Sequence, residues 1–322
     1  MAPMHAIGIH AFWLWSAAVA GVALDYLLGE PRRAHPLVGF GRLAGWLERT
    51  FNRPDGRPGS RLLLGACGWC ALVLPPAVAA QALVMALPLP LALLVHALLL
   101  YFTLGAQSLG AHVRPIAAAL AAGDLPAARA LTARIVSRDL DDADEAAVAR
   151  AAVESTLENG NDAIFGALFW FAVAGGPGAL AYRLANTLDA MWGYRTPRLL
   201  HFGRVAARAD DALNWLPARL TAISYALLGH SHDAFACWKT QARHWDSPNA
   251  GPVMAAGAGS LGVCLGGPAR YHGHIEDRPP LGCGETAGDH HITEAWRLVV
   301  RTQQAWLAFG AILPALTLAS LL

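Results

Sequence analysis

Glu154 and Glu158 stand four residues apart and share one face if the chain is helical there. Asn159, Asn161 and Asp162 follow directly. Oxygens grouped in this way can hold Mg²⁺, a hard ion, and Glu154, Glu158 and Asp162 are the expected ligands. A solvated helix face would carry similar residues. Ser137-Arg138-Asp139 lies upstream, ahead of Asp141, Asp142 and Asp144, which suit the first turn of the Ala-rich segment that follows. Asn186 and Asp189, three apart, put an amide and a carboxylate on one helical face, and Gly193-Tyr194-Arg195 ends that helix. Arg208, Asp211 and Asn214 also recur at helical spacing, where a structural Arg–Asp pair is the plainer reading. Arg219 follows Pro217-Ala218. Asp25, Glu30-Pro31, His35-Pro36 and Arg42 close the first apolar run, where an ordinary membrane-exit loop competes with a site.

Other signals are weaker. Ser247-Pro248-Asn249 leads into Gly257, Gly259, Gly262, Gly266 and Gly267. Such glycines form either a nest of N–H groups for an anion or a close helix contact. Cys67-x-x-Cys70 sits in an apolar helix and reads as small hydrophobes. The five cysteines are odd in number and dispersed, so no disulfide framework is expected. His272-x-His274 and His290-His291, with Glu276, Asp277, Cys283 and Glu285 nearby, have no zinc-ligand spacing and read as a soluble loop. Lys239 is the only lysine, and no Gly-Lys-Ser/Thr phosphate loop exists.

The elements that position these groups are apolar. The 322 residues are 55% hydrophobic and 15% charged, against about a quarter charged in soluble domains. A net charge of +1 excludes nucleic-acid binding by bulk charge. Met1 to Leu24 and Leu62 to Val113 contain no Asp, Glu, Lys or Arg. A bilayer span needs about 20 apolar residues. Spans are therefore expected near 7–28, 62–86, 90–110, 163–182 and 303–321, with a further one near 211–229. Pro75-Pro76 and Pro88-Leu89-Pro90 are candidate turns. Only helices and closed barrels satisfy the backbone in lipid, and these runs choose helices. The expectation is an all-α polytopic membrane protein, one membrane domain over 1–322, with negligible sheet. Its polar functional segments are 25–61, 114–162, 183–219 and 243–301. Seven arginines between Glu30 and Arg61 place that loop, and with it the site, on the cytoplasmic side of the cell (inner) membrane. The arginines after 182 then require either a re-entrant 163–182 segment or a crossing near 211–228.

Taken together, these pieces resemble the CobD/CbiB family, the adenosylcobinamide-phosphate synthases of cobalamin biosynthesis. The likeness runs from Asp25 to about Arg301. It is carried by Asp25…Glu30-Pro31…His35-Pro36, Arg138-Asp139, Ala151-Ala152-Val153-Glu154-Ser155, Glu158-Asn159 and Asp162. It continues through the block from Gly178 to Arg195, then Phe202-Gly203-Arg204, Ala207-Arg208, Asp210-Asp211, Asn214 and Pro217-Ala218-Arg219. Ser247-Pro-Asn-Ala-Gly251 and Leu265-Gly-Gly-Pro268 complete it. Gly166-Ala167 before Leu168-Phe169, and His290-His291 before Ile292, depart from the family pattern.

The resemblance implies a helical membrane ligase that joins the f-propionate of adenosylcobyric acid to aminopropanol or its O-phosphate. ATP and Mg²⁺ would be required, and haem and zinc would not. Arg138, Arg195, Arg208 and Arg219 would clamp phosphate oxygens. Asp139, Glu154, Glu158, Asp162, Asp189 and Asp211 would hold Mg²⁺ or deprotonate the amine. Asn159, Asn186, Asn214 and Asn249 suit the amide rim of a corrin, and Asp25, Glu30, His35, Arg42 and Ser247 complete the substrate set. The lipid bilayer and other corrinoid-pathway enzymes are the implied partners. Three rivals are an AmpE-like membrane regulator, a membrane prenyltransferase with Asn186-x-x-Asp189 and Asp141-Asp142-x-Asp144-Glu145 as its Mg²⁺-diphosphate motifs, and a corrinoid carrier.

Overall fold

The computed structural model describes residues 2–31, 35–53, 55–271, 273–312 and 315–316. Its helices are α1 (Ala2–Leu28), α2 (Pro36–Phe51), α3 (Pro58–Ala86), α4 (Leu89–Thr103), α5 (Ala106–Ala121), α6 (Leu125–Thr132) and α7 (Glu145–Gly160). A π-helical turn (Asn161–Phe165) follows, then α8 (Gly166–Trp192), α9 (Arg204–Leu228), α10 (Ser231–Gln241), α11 (Ala250–Leu261) and α12 (Asp289–Gly310). Among the described residues four stretches are long and apolar enough to cross a bilayer: 11–28, 58–86, 89–121 and 145–192. The chain is thus a helical membrane protein, as expected. Helix α9 covers the doubtful 211–228 stretch but is not among the four. The expected span at 303–321 lies partly outside the described residues.

The chain separates into two compact units. The first comprises residues 1–105, 166–214 and 307–322. Within it α4 packs on α1 and α8, and α3 packs on α8. Trp192, Phe202 and Leu188 form the centre of one core, with Ala44, Leu72 and Val73 around them. Pro75 and Pro76, expected at a turn, lie inside α3. The turn falls instead at Leu87-Pro88, where Leu87 is extended. Membrane helices tolerate interior proline where neighbouring helices, side chains or local changes of helical pitch re-satisfy the backbone groups it frees.

Helix α8 is broken in mid-course. Ala174 (φ −137°, ψ 19°) and Gly175 (φ 65°, ψ −160°) leave helical geometry just before Pro177. Proline has no N–H and clashes with the carbonyl one turn back. Gly175 takes the left-handed φ that a side chain would resist. The freed N–H of Gly176 donates to His96 Nδ1 on α4 at 2.9 Å.

The second unit comprises residues 106–165 and 215–306. Helices α5 and α6 pack on α7, and α11 packs on α7 and α10. Sheet is minor, as expected, and among the described residues it is confined to five strands of two to four residues. β1 (Val263–Gly266) lies between antiparallel β4 (Pro280–Gly282) and parallel β5 (Glu285–Thr286). β2 (Ala269–Tyr271) and β3 (His274–Glu276) form a hairpin. Strands of two to four residues are too short to show alternation, so their periodicity was invisible in sequence.

Candidate active site

Helix α7 begins with Asp144, whose carboxylate accepts from the Ala147 N–H at 2.7 Å and caps the first turn. That fixes the rotation of the helix and turns Glu154 inward, where its side chain is 2% exposed. Glu154 Oε2 accepts from Arg138 at 2.6 Å and from Arg278 Nη1 at 2.8 Å. Oε1 accepts from the Gly266 N–H at 2.8 Å and from Arg278 Nη2 at 3.3 Å. Both oxygens therefore face cationic or N–H donors, an arrangement that suits an anchor better than a metal ligand. Gly266 and Gly267 both have positive φ (72° and 73°), and the turn they form aims the Gly266 N–H at Glu154. The anion at this glycine turn is thus the protein's own carboxylate. Along α11 the other reading of the glycines holds. Side chains at Gly257 and Gly259 would collide with Leu157 and with the Asp233 carbonyl, so these positions serve close packing.

Glu158 lies one turn along α7, within electrostatic reach of Glu154, Arg138 and Arg278. Asn159 donates to the Ser155 carbonyl and hydroxyl. Asp162 accepts from Asn161 at 2.9 Å, and Asn161 in turn accepts from Thr221 at 3.0 Å. Asp139 pins the β2–β3 hairpin: its N–H donates to the Arg270 carbonyl at 2.8 Å, and its carboxylate accepts from the Gly273 N–H at 2.7 Å. Arg270 pairs with Asp142 at 2.7 Å. A cavity of about 190 Å³ opens here, lined by Arg138, Asp139, Asp142, Arg150, Arg270 and Ile275 among others. Elsewhere in this unit Arg219 donates to Asn249 at 2.9 Å and to the Pro248 carbonyl at 3.1 Å, and it stacks on Trp215. Ser247 accepts from the Ala250 N–H at the start of α11.

The first unit holds a second polar group, centred on Asp210. Asn186 and Asn214 donate to its two oxygens at 3.2 and 3.1 Å, and the Tyr182 hydroxyl donates to Asn214 at 2.9 Å. Asp189 lies within electrostatic reach of Asp210 and Asp211. Arg208 meets Asp211 at 3.4 Å, and Arg195 is also close enough to act on that carboxylate. Burial raises the pKa of Asp210, and the Asn186 and Asn214 hydrogen bonds offset part of the rise. In the same unit Asp25 is buried on α1, and the Tyr101 hydroxyl, near both Asp25 and Glu30, donates to the Gly29 carbonyl at 2.8 Å. His35 caps α2 by accepting from the Leu37 N–H at 3.1 Å. Arg42 is exposed on that helix.

Of four functional residues here, Asp210, Arg150, Arg278 and Gly266, the sequence reading missed Arg150 and Arg278 and named Asp210 and Gly266 without their partners. The first two had a signal, since Asp210 is one turn before Asn214 and Arg150 one turn before Glu154. Arg278 reaches Glu154 across 124 residues and had none, whereas Gly266 was one of the nest glycines and only its partner, 112 residues away, was illegible.

The histidine cluster comes together in space. Ligand atoms of Glu285, His290 and His291 lie within 4.8 Å of one another. The Gly288 N–H donates to His291 Nδ1 at 3.1 Å, which puts the ring proton on Nε2, 4.0 Å from Glu285. Burial, then the neighbouring His290, lowers the pKa of His291. His272 lies outside the described residues. Of the cysteines, Cys237, Cys264 and Cys283 come together although they are distant in sequence, and burial with the Cys283 hydrogen bond pushes the Cys237 thiol up to about 12.

Comparison with known proteins finds relatives over most of the chain. Residues 18–299 match the family described as CobD/Cbib protein. The chain is 57% identical to a cobalamin biosynthesis protein CobD of Chromobacterium violaceum, over 89% of this chain and 92% of the relative. It is 56% identical to one of Stutzerimonas stutzeri (90% and 95%) and 38% identical to one of Mycobacterium bovis (93% and 96%). No solved structure matches.

Proposed function

Because this chain belongs to the CobD/CbiB family of cobalamin-biosynthesis proteins, we propose that it is the ligase joining the f-propionate of adenosylcobyric acid to aminopropanol or its O-phosphate. The product is adenosylcobinamide or its phosphate. The observation that supports the reading most is the Arg138–Glu154–Arg278 assembly with the arginine-lined cavity beside it, inside the matched region. A regulator of the AmpE kind has no need of such a site.

In this reading ATP phosphorylates the carboxylate, the amine attacks the acyl carbon, and phosphate leaves. Guanidiniums fixed in place stabilise the phosphate charge as it develops. Glu154 holds Arg138 and Arg278 in position, and Asp139 fixes the neighbouring hairpin. Glu158, half-buried beside them, is the general base for the amine. Mg²⁺ would fit Asp189, within electrostatic reach of Asp210 and Asp211, better than it fits Glu154, whose oxygens are taken; Asp210, which accepts from Asn186 and Asn214, would hold that face in place. Mg²⁺ would supply charge neutralisation for nucleotide phosphates. The site would face the cytoplasm of the inner membrane, where the arginine-rich loops lie.

The test is a product assay on detergent-purified protein with adenosylcobyric acid, either amine, Mg²⁺, and ATP or none, read by mass spectrometry. Cobinamide or its phosphate appearing only with ATP supports the ligase and its activation step together. No product with either amine moves the reading to a regulator.

A further inference from the structure

We propose that the cavity between α7 and the β2–β3 hairpin binds a phosphate group, with Arg150 as its specificity-determining residue. The inference rests on the ligase reading for its place in the reaction. Three guanidiniums line this space, and they are differently engaged. Arg138 is committed to buried Glu154. Among the described residues the Arg270 guanidinium is held only by Asp142, in a pair whose side chains are 45% and 78% exposed. Exposed pairs of this kind are weak and exchange readily for a better anion. Arg150 has no carboxylate partner among the described residues. Its Nη1 lies against Gly267, close enough that a Cβ there would stand 3.5 Å away. The guanidinium therefore lies beside the Gly267 backbone at the wall of the cavity, on a residue one turn before Glu154 on α7.

A phosphate monoester matches this set. Arg150 and Arg270 offer planar forks for bidentate hydrogen bonds, and Asp142 can be displaced to solvent. At about 190 Å³ the space is smaller than the roughly 300–1,000 Å³ that takes a drug-sized ligand. Size therefore favours a small phosphorylated amine over a nucleotide, although either carries the same chemistry.

The experiment uses the full chain in detergent as wild type, Arg150→Gln and Arg150→Lys. Inorganic phosphate binding is measured by calorimetry, independently of turnover. KM values are then taken for phosphorylated amine, free amine and ATP. R150Q is expected to weaken phosphate binding about tenfold or more. It should raise KM for the phosphorylated amine well beyond that for the free amine, with R150K between. A rise confined to ATP supports the phosphate site and assigns it to the nucleotide. R150Q binding phosphate like wild type, with a native melting temperature, overturns the proposal. Wild type that binds phosphate through Arg150 yet makes no product refutes the ligase reading and keeps the site. If R150Q does not fold, R270Q carries the same arms.

Discussion

Replacing Glu154 by alanine removes the one carboxylate that two guanidiniums share. Arg138 and Arg278 are only 10% and 11% exposed, so neither can turn fully to water when the partner is lost. Breaking a buried ion pair by deleting one side costs about 3–5 kcal/mol, because the remaining charge is stranded. Here two charges are stranded and the Gly266 N–H loses its acceptor, so the upper part of that range is expected. The damage should be local first. Arg278 and Gly266 bound the 263–278 segment, and both are held to α7 through this side chain. Hydrogen exchange on the full chain in detergent should show β1 (Val263–Gly266) losing protection by a factor of hundreds or more, about what a few kcal/mol of local opening implies. Glu154→Gln keeps shape and one acceptor, so it isolates the charge. A cycle of E154Q with Arg278→Met should give a coupling of about 1–3 kcal/mol. Native exchange across 263–278 in E154A, joined to a loss of Mg²⁺ dependence in the product assay, would refute the anchor and restore the metal-ligand expectation.

Other expectations follow from the same geometry. Burial pushes the Glu48 carboxyl up, but hydrogen bonds from Arg198 and Asn52 outweigh it and hold its pKa below the ordinary glutamate value. The network's contribution is therefore complete above the unfolded pKa and fades as pH falls through the depressed one; melting curves between about pH 5 and pH 3 should show this slope in wild type and not in E48Q, and equal slopes would count against it. A Cβ at Gly65 would strike the Phe202 carbonyl, so Gly65→Ala should cost about 1–3 kcal/mol, and an unchanged melting temperature would show that the contact relaxes freely. Asp189→Asn should raise the Mg²⁺ concentration needed for half-maximal product formation about tenfold or more, whereas E158Q should lower turnover without moving it; the reverse pattern would exchange the two roles.

Much of the architecture could be read from the residues because a bilayer writes its demands in long uncharged runs. The acid–amide face of α7 was equally plain, since one helix carries its own spacing. What could not be read was contact at a distance. Glu154 looks the same in sequence whether it meets a metal ion or two arginines, and Arg278 sits among short strands with no periodicity. Asp210 was overshadowed by its neighbour Asp211, although its spacing to Asn214 marked it. Pro75-Pro76 misled because membrane helices carry interior proline more often than soluble ones do.

The break in α8 bears on how the protein is made. The Gly176 N–H would be an expensive orphan at membrane depth if its acceptor were absent. That acceptor, His96, lies 80 residues nearer the start of the chain. Synthesis is vectorial, so His96 has left the ribosome long before Gly176 emerges. The interrupted helix enters a membrane in which its stopper already waits. Reversing that order, as a circular permutant opening the chain between α4 and α8 would do, asks the same N–H to wait unsatisfied in the bilayer for its partner to be translated.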